Sequence, residues 1–380
     1  MKLDKKIFYF ISEKMRIRRD KMFDYLVVGC GLAGMTASRI LAERGKKVLI
    51  LDKRNHIGGN IYDYYNEAGL LIHKYGPHIF HTNNKEVYEF LSRFTEWREY
   101  QHKVLSYVNG MLVPMPINLD TINILYSTNY NSSTINEFFY SVKENVEEIN
   151  NSKDVIVSQV GEELYKLFFE GYTKKQWDLY PYELGKEVTS RVPTRSNRDP
   201  RYFTDKYQGM PKYGYTKMAE NIINHENIKV MLNTTYDEIK DEISYSKIIF
   251  TGCIDEFFKQ KHGKLPYRSL NFIEETYDKE YYQPVGVVNY PNDYDYTRIT
   301  EYKYLTGQKS DKTTIMKEIS KASGEPYYPI PKPENKKLYS LYRKEAEESQ
   351  NTYFLGRLGT YSYMNMDAVI YQALQFCDNI

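Results

Sequence analysis

Apolar and polar positions alternate with two different periods along this chain. DYLVVG (24–29) is a buried-type apolar run of strand length. From Ala33 to Arg44 the spacing puts Met35, Ile40 and Leu41 near one helical face, and Gly45 stops the helix as a C-terminal glycine does. KVLILD (47–52) reads as a second strand. Strand, helix and strand in this order predict a parallel βαβ unit with a right-handed crossover. HKVLSYV and MLVPMP, joined by Asn109-Gly110, predict a hairpin within 98–117. Helical spacing dominates 118–184, as in Ile135, Phe138, Phe139 and Val142, then Leu164, Leu167 and Phe168. KVMLN (229–233) and KIIFTG (247–252) read as short buried strands, and the Tyr, Val and Thr alternation of 268–305 predicts antiparallel sheet. NTYFLGRLG (351–359) returns to a buried strand, followed by a helix over Asp367–Asn379. Strands of the buried type at both chain ends predict a discontinuous nucleotide-binding domain.

The first turn carries candidate chemistry. Gly29, Gly31 and Gly34 form GxGxxG where strand passes into helix, and Asp52 follows Gly29 by 23 residues at the next strand end. The first glycine permits the turn, the second admits a pyrophosphate, and the third lets helix and strand touch. The helix N-terminus faces the phosphate charge, and the acid accepts ribose hydroxyls. In a nicotinamide enzyme the sheet would run on from Asp52 into another crossover helix. Here Lys53, Arg54, Asn55, Gly58, Gly59 and Asn60 follow instead, and glycine amides beside a second phosphate suit FAD. Gly356 and Arg357, expected on the returning strand, close the other side.

Composition narrows the class. The 380 residues are 41% hydrophobic and 27% charged with net charge +2, which fits a soluble globular protein and argues against a nucleic-acid partner. No run of 18 apolar residues exists to form an integral membrane segment. Cys30, Cys253 and Cys377 are odd in number and unpaired in motif, as expected of reduced thiols in the cytoplasm. Residues 1–21 form a basic tail with eight Lys or Arg against three acids. The His78/His81 pair lacks a third ligand cluster, so no metal is expected.

Longer blocks carry a family resemblance. RNHIGGN (54–60), IHKYGPHIFHTN (72–83), EGYTKKQW (170–177), YTRI (296–299), GEPYYP (324–329) and GRLGTYSY (356–363) occur in the order seen in bacterial UDP-galactopyranose mutases, which this chain resembles over about 22–375. The resemblance implies an α/β fold: a discontinuous Rossmann-like FAD-binding domain (22–97, 206–267, 345–380), a helical domain (118–184) and a twisted antiparallel β-sheet domain for substrate (98–117, 185–205, 268–344). It implies interconversion of UDP-galactopyranose and UDP-galactofuranose without net redox change, supplying galactofuranose for cell-surface glycans. In that family N5 of reduced FAD bonds to sugar C1 while UDP departs, and a reductant such as NAD(P)H is needed only for priming. A homo-oligomer is also implied.

By the same resemblance Arg191, Arg298 and His81 are catalytic positions. Leu32, Ala33, His78, Asn365 and Met366 join the glycine, Asp52, Lys53, Arg54, Asn60 and Arg357 positions in holding the cofactor. Tyr172, Thr173, Trp177, Tyr202, Asn289, Tyr328 and Tyr363, with the two arginines, are substrate positions. Two guanidinium forks suit a departing diphosphate, and an indole beside a phenol offers uracil a flat surface. Two departures stand out: Asn365 replaces a family aspartate, and NYPNDYD (289–295) is one residue shorter than usual. Rival readings are an FAD-dependent oxidase or desaturase, which needs a wide apolar tunnel, and a non-catalytic nucleotide-sugar binder.

Overall fold

The computed structural model describes residues 22–189 and 192–380. A five-stranded parallel sheet runs in the order β10 (Ile228–Met231), β2 (Val48–Leu51), β1 (Phe23–Val28), β11 (Tyr245–Phe250), β17 (Thr352–Phe354). Both predicted strands of the βαβ unit lie at its centre, pairing Tyr25 with Val48 and Val28 with Leu51. All four β2 residues are buried, as a central parallel strand covered on both faces requires. Between them α1 (Leu32–Glu43) buries Met35, Ala37 and Leu41 against the sheet and ends before Gly45, whose φ of 79° is the left-handed value of a helix stop. The returning strand β17 is half-buried at the sheet edge and not a core strand. Gly356 and Arg357 do not lie on it: they open a single helical turn, Gly356–Gly359, directly beyond it.

A seven-stranded sheet follows the order β16 (Tyr328–Pro329), β12 (Tyr267–Tyr277), β15 (Thr313–Lys321), β14 (Arg298–Glu301), β13 (Val287–Asn289), β7 (Val104–Val108), β8 (Met111–Met115). The hairpin turns at Asn109-Gly110, with φ of 51° and 78°. The sheet is not wholly antiparallel, because β13 pairs parallel to β7. That junction joins the hairpin to strands almost 200 residues later, a contact no local pattern announces.

Helices α2 (Leu119–Tyr126), α3 (Ile135–Val142) and α4 (Ser152–Tyr165) cover the hairpin and share its core of Val104, Val113, Ile122, Ile135, Ile156 and Leu164. Asn118 and Asn151 start α2 and α4 through reciprocal caps with Thr121 and Asp154. One π-turn, Lys166–Glu170, then passes into α5 (Gly171–Trp177). Two small sheets, β3 (Asp63–Tyr65) with β4 (Leu71–His73) and β5 (Phe80–Thr82)–β9 (Tyr207–Pro211)–β6 (Trp97–Glu99), join the two large ones. No described helix is long and apolar enough to cross a membrane.

Candidate active site

The glycines of the first turn are required by contacts as well as by φ. A Cβ on Gly34 would fall 2.0 Å from the Gly29 carbonyl oxygen, and one on Gly29 (φ +110°) would fall 2.0 Å from Thr251 Oγ1. Gly59 (φ +56°) brings the second glycine turn against the first, where its Cβ would sit 2.8 Å from Gly31 Cα. Asp52 locks the two turns: one carboxylate oxygen accepts the Cys30 amide at 2.8 Å, the other the Arg54 amide at 2.9 Å. Gly31 provides no side-chain cap for α1 and the first turn of that helix has no acidic residue, so its leading amides stay available to an anion.

One cavity is lined by Gly29, Gly31, Leu32, Ala33, Asp52, Lys53, Arg54, Gly58, Gly59, Asn60, His78, Gly356, Arg357 and Met366. Gly34 and Asn365 do not line it: Gly34 serves the helix–strand contact, and Asn365 is the residue before the last helix, Met366–Asp378. Sequence reasoning missed Thr234, Tyr236, Cys253, Glu256, Glu325 and Tyr327 on the same walls. The cradle fits a dinucleotide, because two backbone turns touch in a way that any side chain would block, beside a helix N-terminus and an acid.

The histidines divide into different surroundings. His73 is buried, accepts the His78 amide at Nδ1 (3.1 Å), and is held at a pKa of about 3 by desolvation. His78 Nδ1 lies 2.9 Å from the Gly76 carbonyl, so this nitrogen carries the proton and Nε2 is the acceptor. Burial, then His73, Arg357 and Arg298, keep His78 neutral by lowering its pKa. His81 does not line the cavity that His78 lines. Its ring stacks on Phe203 at 3.6 Å, and Nδ1 lies 3.0 Å from Asp205. His102, quoted in the sequence only as the start of a hairpin strand, is buried on the same Phe203 ring with its pKa depressed to about 3, first by burial and then by Arg298 and His81. Tyr202 donates its amide to the His102 carbonyl at 2.7 Å.

Arg298 opens β14 opposite Asn289 in β13. Its Nε and Nη2 donate to one oxygen of buried Glu318 at 3.0 and 2.7 Å, a partner 20 residues downstream on β15. Burial works against the Arg298 charge, and Glu318, Tyr172 and Tyr328 outweigh it, raising its pKa. Trp177 is buried at the end of α5, with ring centres of Tyr328 and Tyr363 at 6.1 and 6.2 Å and those two stacked at 5.7 Å. Arg357 lies over both tyrosine rings at 5.1 and 5.6 Å while also lining the cavity, so it joins the aromatic group to the cradle. Burial and then Glu318 push Tyr328 up to about 12. On the same helix as buried Thr173, Tyr172 has its pKa raised by burial, with the Arg298 charge opposing and the Glu318 charge adding to the shift. Arg191 lies outside the described residues. Among the described residues no three His, Cys, Asp or Glu side chains gather as a metal site.

Comparison with known proteins places this arrangement. The profile of the UDP-galactopyranose mutase family matches residues 167–363, and that of an NAD(P)-binding Rossmann-like domain matches 27–94. The "probable UDP-galactopyranose mutase" of Klebsiella pneumoniae is 40% identical, with 93% of each chain covered. The dTDP-fucopyranose mutase of Escherichia coli is 37% identical over 92% of this chain and 96% of its own. A crystal structure of reduced UDP-galactopyranose mutase superposes with a TM-score of 0.75 at 18% identity, covering 94% of this chain and 95% of that one. This chain belongs to the UDP-galactopyranose mutase family of flavin-dependent isomerases.

Proposed function

We propose that this protein is a cytoplasmic UDP-galactopyranose mutase that interconverts UDP-galactopyranose and UDP-galactofuranose on reduced FAD, supplying galactofuranose for cell-surface glycans. The observation that carries the reading is the shared wall: Arg357 belongs to the dinucleotide cradle and also lies over the Tyr328 and Tyr363 rings that flank Trp177. A reduced flavin held by the Gly29, Gly31, Gly58, Gly59, Asp52 and Arg357 cradle would supply a nucleophilic nitrogen for the anomeric carbon, chemistry that lets the sugar ring open and reclose through its other hydroxyl with no net oxidation.

The chain's own groups position and hold. Trp177, Tyr172 and Thr173 receive the uridine end, and Arg298 with Arg191 holds the diphosphate through departure and return. Tyr202, Tyr328 and Tyr363 donate hydroxyl protons to phosphate oxygens, and the raised pKa of Tyr328 keeps its phenol protonated. Asn289, opposite Arg298, meets sugar or ribose hydroxyls. Glu318 keeps the Arg298 fork in place, an electrostatic arrangement set before any charge develops. His81, the catalytic position implied beside the flavin ring, is held by Asp205 and Phe203 outside the lining of the cradle. NAD(P)H primes the flavin, and the enzyme works as a homo-oligomer.

The test is chromatography of nucleotide sugars after incubation of dithionite-reduced protein with UDP-galactofuranose. UDP-galactopyranose should appear only with reduced protein. Equal conversion by oxidised protein, or none in either state, overturns the proposal. A second reading, a mutase of dTDP-fucose, is favoured by the Escherichia coli relative of nearly equal identity. The same assay with dTDP-fucopyranose decides between them through the ratio of the two kcat/KM values.

A further inference from the structure

The two neighbouring lysines of α5 have opposite fates. Lys174 makes an ordinary same-helix pair with Asp178, at 2.9 Å to its carbonyl and 3.2 Å to its carboxylate. Lys175 instead leaves its helix and enters the loop between β13 and β14. Its Nζ donates to the carbonyls of Tyr290 and Asp293, both at 2.7 Å, and approaches that of Tyr296 at 3.5 Å. The loop is closed across its base by Tyr290 N to Thr297 O (2.9 Å), and Tyr294 takes a left-handed φ of 59° within it. An ammonium has three donors and no acceptor, so it matches three converging carbonyls. Burial lowers the pKa of Lys175, and Asp293 and Asp295 pull it back up.

Two further contacts on the same side of the helical segment reach that loop. The Asn292 amide donates to the carbonyls of Leu167 (3.1 Å) and Lys166 (3.4 Å). Gly171 lies so near that a Cβ would come within 2.4 Å of Asn292 Oδ1 and 2.6 Å of the Pro291 carbonyl oxygen. The contacts at Lys166, Leu167, Gly171 and Lys175 together dock this segment on one loop. The loop ends run directly into Asn289 and Arg298. The last turn of α5 is held from a second direction as well: buried Arg268, paired with Tyr328 across β12 and β16, donates Nε to the Gln176 carbonyl at 3.1 Å.

We propose that Lys175 is a positioning residue that fixes the spacing between the aromatic surface of α5 and the β13–β14 strand pair carrying Asn289 and Arg298. The inference rests on the substrate reading above, in which one ligand spans both groups. A ligand that touches both ends gains from their being held at one distance, whereas a ligand touching one end does not. The ammonium therefore sets affinity for a whole nucleoside diphosphate without itself touching it.

Titration calorimetry of the flavin-bound protein with UDP and with uridine reads this directly. In Lys175→Met the long apolar stem remains and the charge goes. UDP affinity should fall about tenfold, uridine affinity should hold within about twofold, and Lys175→Arg should recover most of the loss. In turnover the KM for the UDP-sugar should rise more than kcat falls. UDP affinity within about twofold of wild type, or equal losses for UDP and uridine, overturns the proposal. Should the methionine variant not fold, Asn292→Ala decides in the same sense, because that exposed side chain holds the same loop: a selective loss for UDP of about threefold supports the proposal and no selective loss overturns it. Wild-type protein that binds neither UDP nor uridine refutes the substrate reading instead.

Discussion

His73 shows what burial does to one side chain here. Its ring has 1% exposure and no carboxylate partner, and its pKa falls from 6.5 unfolded to about 3 folded. His102 is in the same state. Between those values the unfolded chain binds the extra proton, so stability falls as pH drops through 6.5 and is fully present above it. Each such imidazole contributes a slope of about 1.4 kcal/mol per pH unit well below 6.5. The melting temperature should therefore decline from pH 6.5 downward, before carboxylates begin to protonate. His73→Asn, whose amide oxygen can still accept the His78 amide, should flatten that decline in calorimetry at pH 7 and pH 5. An unchanged slope would mean that His73 is not buried neutral. Arg298 is the counterpart case, a charge kept because a carboxylate stands beside it. Arg298→Lys keeps the charge and loses the fork, and should lower kcat/KM by about a hundredfold, near 3 kcal/mol. Arg298 was legible in the sequence because YTRI is a compact block. Glu318 and Asp205 were not, because each is distant in sequence from the residue it holds and lies in no motif.

At the scale of elements, the dinucleotide turn was readable because its requirements are local. Three glycines, an apolar strand and an acid all lie within about thirty residues. The contact of the second glycine turn with the first adds a test. Gly59→Ala places a methyl 2.8 Å from Gly31 Cα at a φ of +56°, so the protein should purify without visible flavin absorbance. Gly69→Ala is the control: its φ is +72° with open space around it, so it bears the backbone cost of about 1–2 kcal/mol alone and should stay yellow. Loss of flavin from both variants would place the effect in the backbone and not in the turn contact. Other elements resisted prediction for a physical reason. β13 pairs in parallel with β7, far earlier in the chain, and three-residue strands such as β5 and β6 are too short to show a period. Gly356 and Arg357 read as strand because FLGRLG is apolar and glycine-rich, yet φ of +77° at Gly356 ends the extended run. The Tyr-rich alternation over 268–305 marked β12, β13 and β14, but β15 and β16 lie beyond it and the parallel pairing of β13 with β7 departs from the antiparallel expectation.

Across the whole molecule, the cofactor cavity is walled by segments from both large sheets. The segment between β15 and β16 reaches over the cradle and places Glu325 3.1 Å from Lys53 and 3.2 Å from Arg54. Arg54 is further fixed by Asn60 Oδ1 at 3.0 Å and by the Tyr75 ring at 4.3 Å. The carboxylate thus joins the segment between two strands of the seven-stranded sheet to the cradle, at the very residues that flank the second glycine turn. Lys53 is half exposed, so its pair with Glu325 contributes little, whereas the better buried Arg54 gains more. A total near 1 kcal/mol corresponds to a change of about fivefold in a rate. Glu325→Gln should accordingly release flavin about two to five times faster at low salt, followed by the rise in flavin fluorescence after dilution. Because ions screen such a bridge, the wild-type and variant rates should converge near 1 M salt. A difference that persists there would assign the effect to packing of the 325–327 segment, and equal rates at low salt would show that the cradle retains its cofactor through the glycine turns and Asp52 alone.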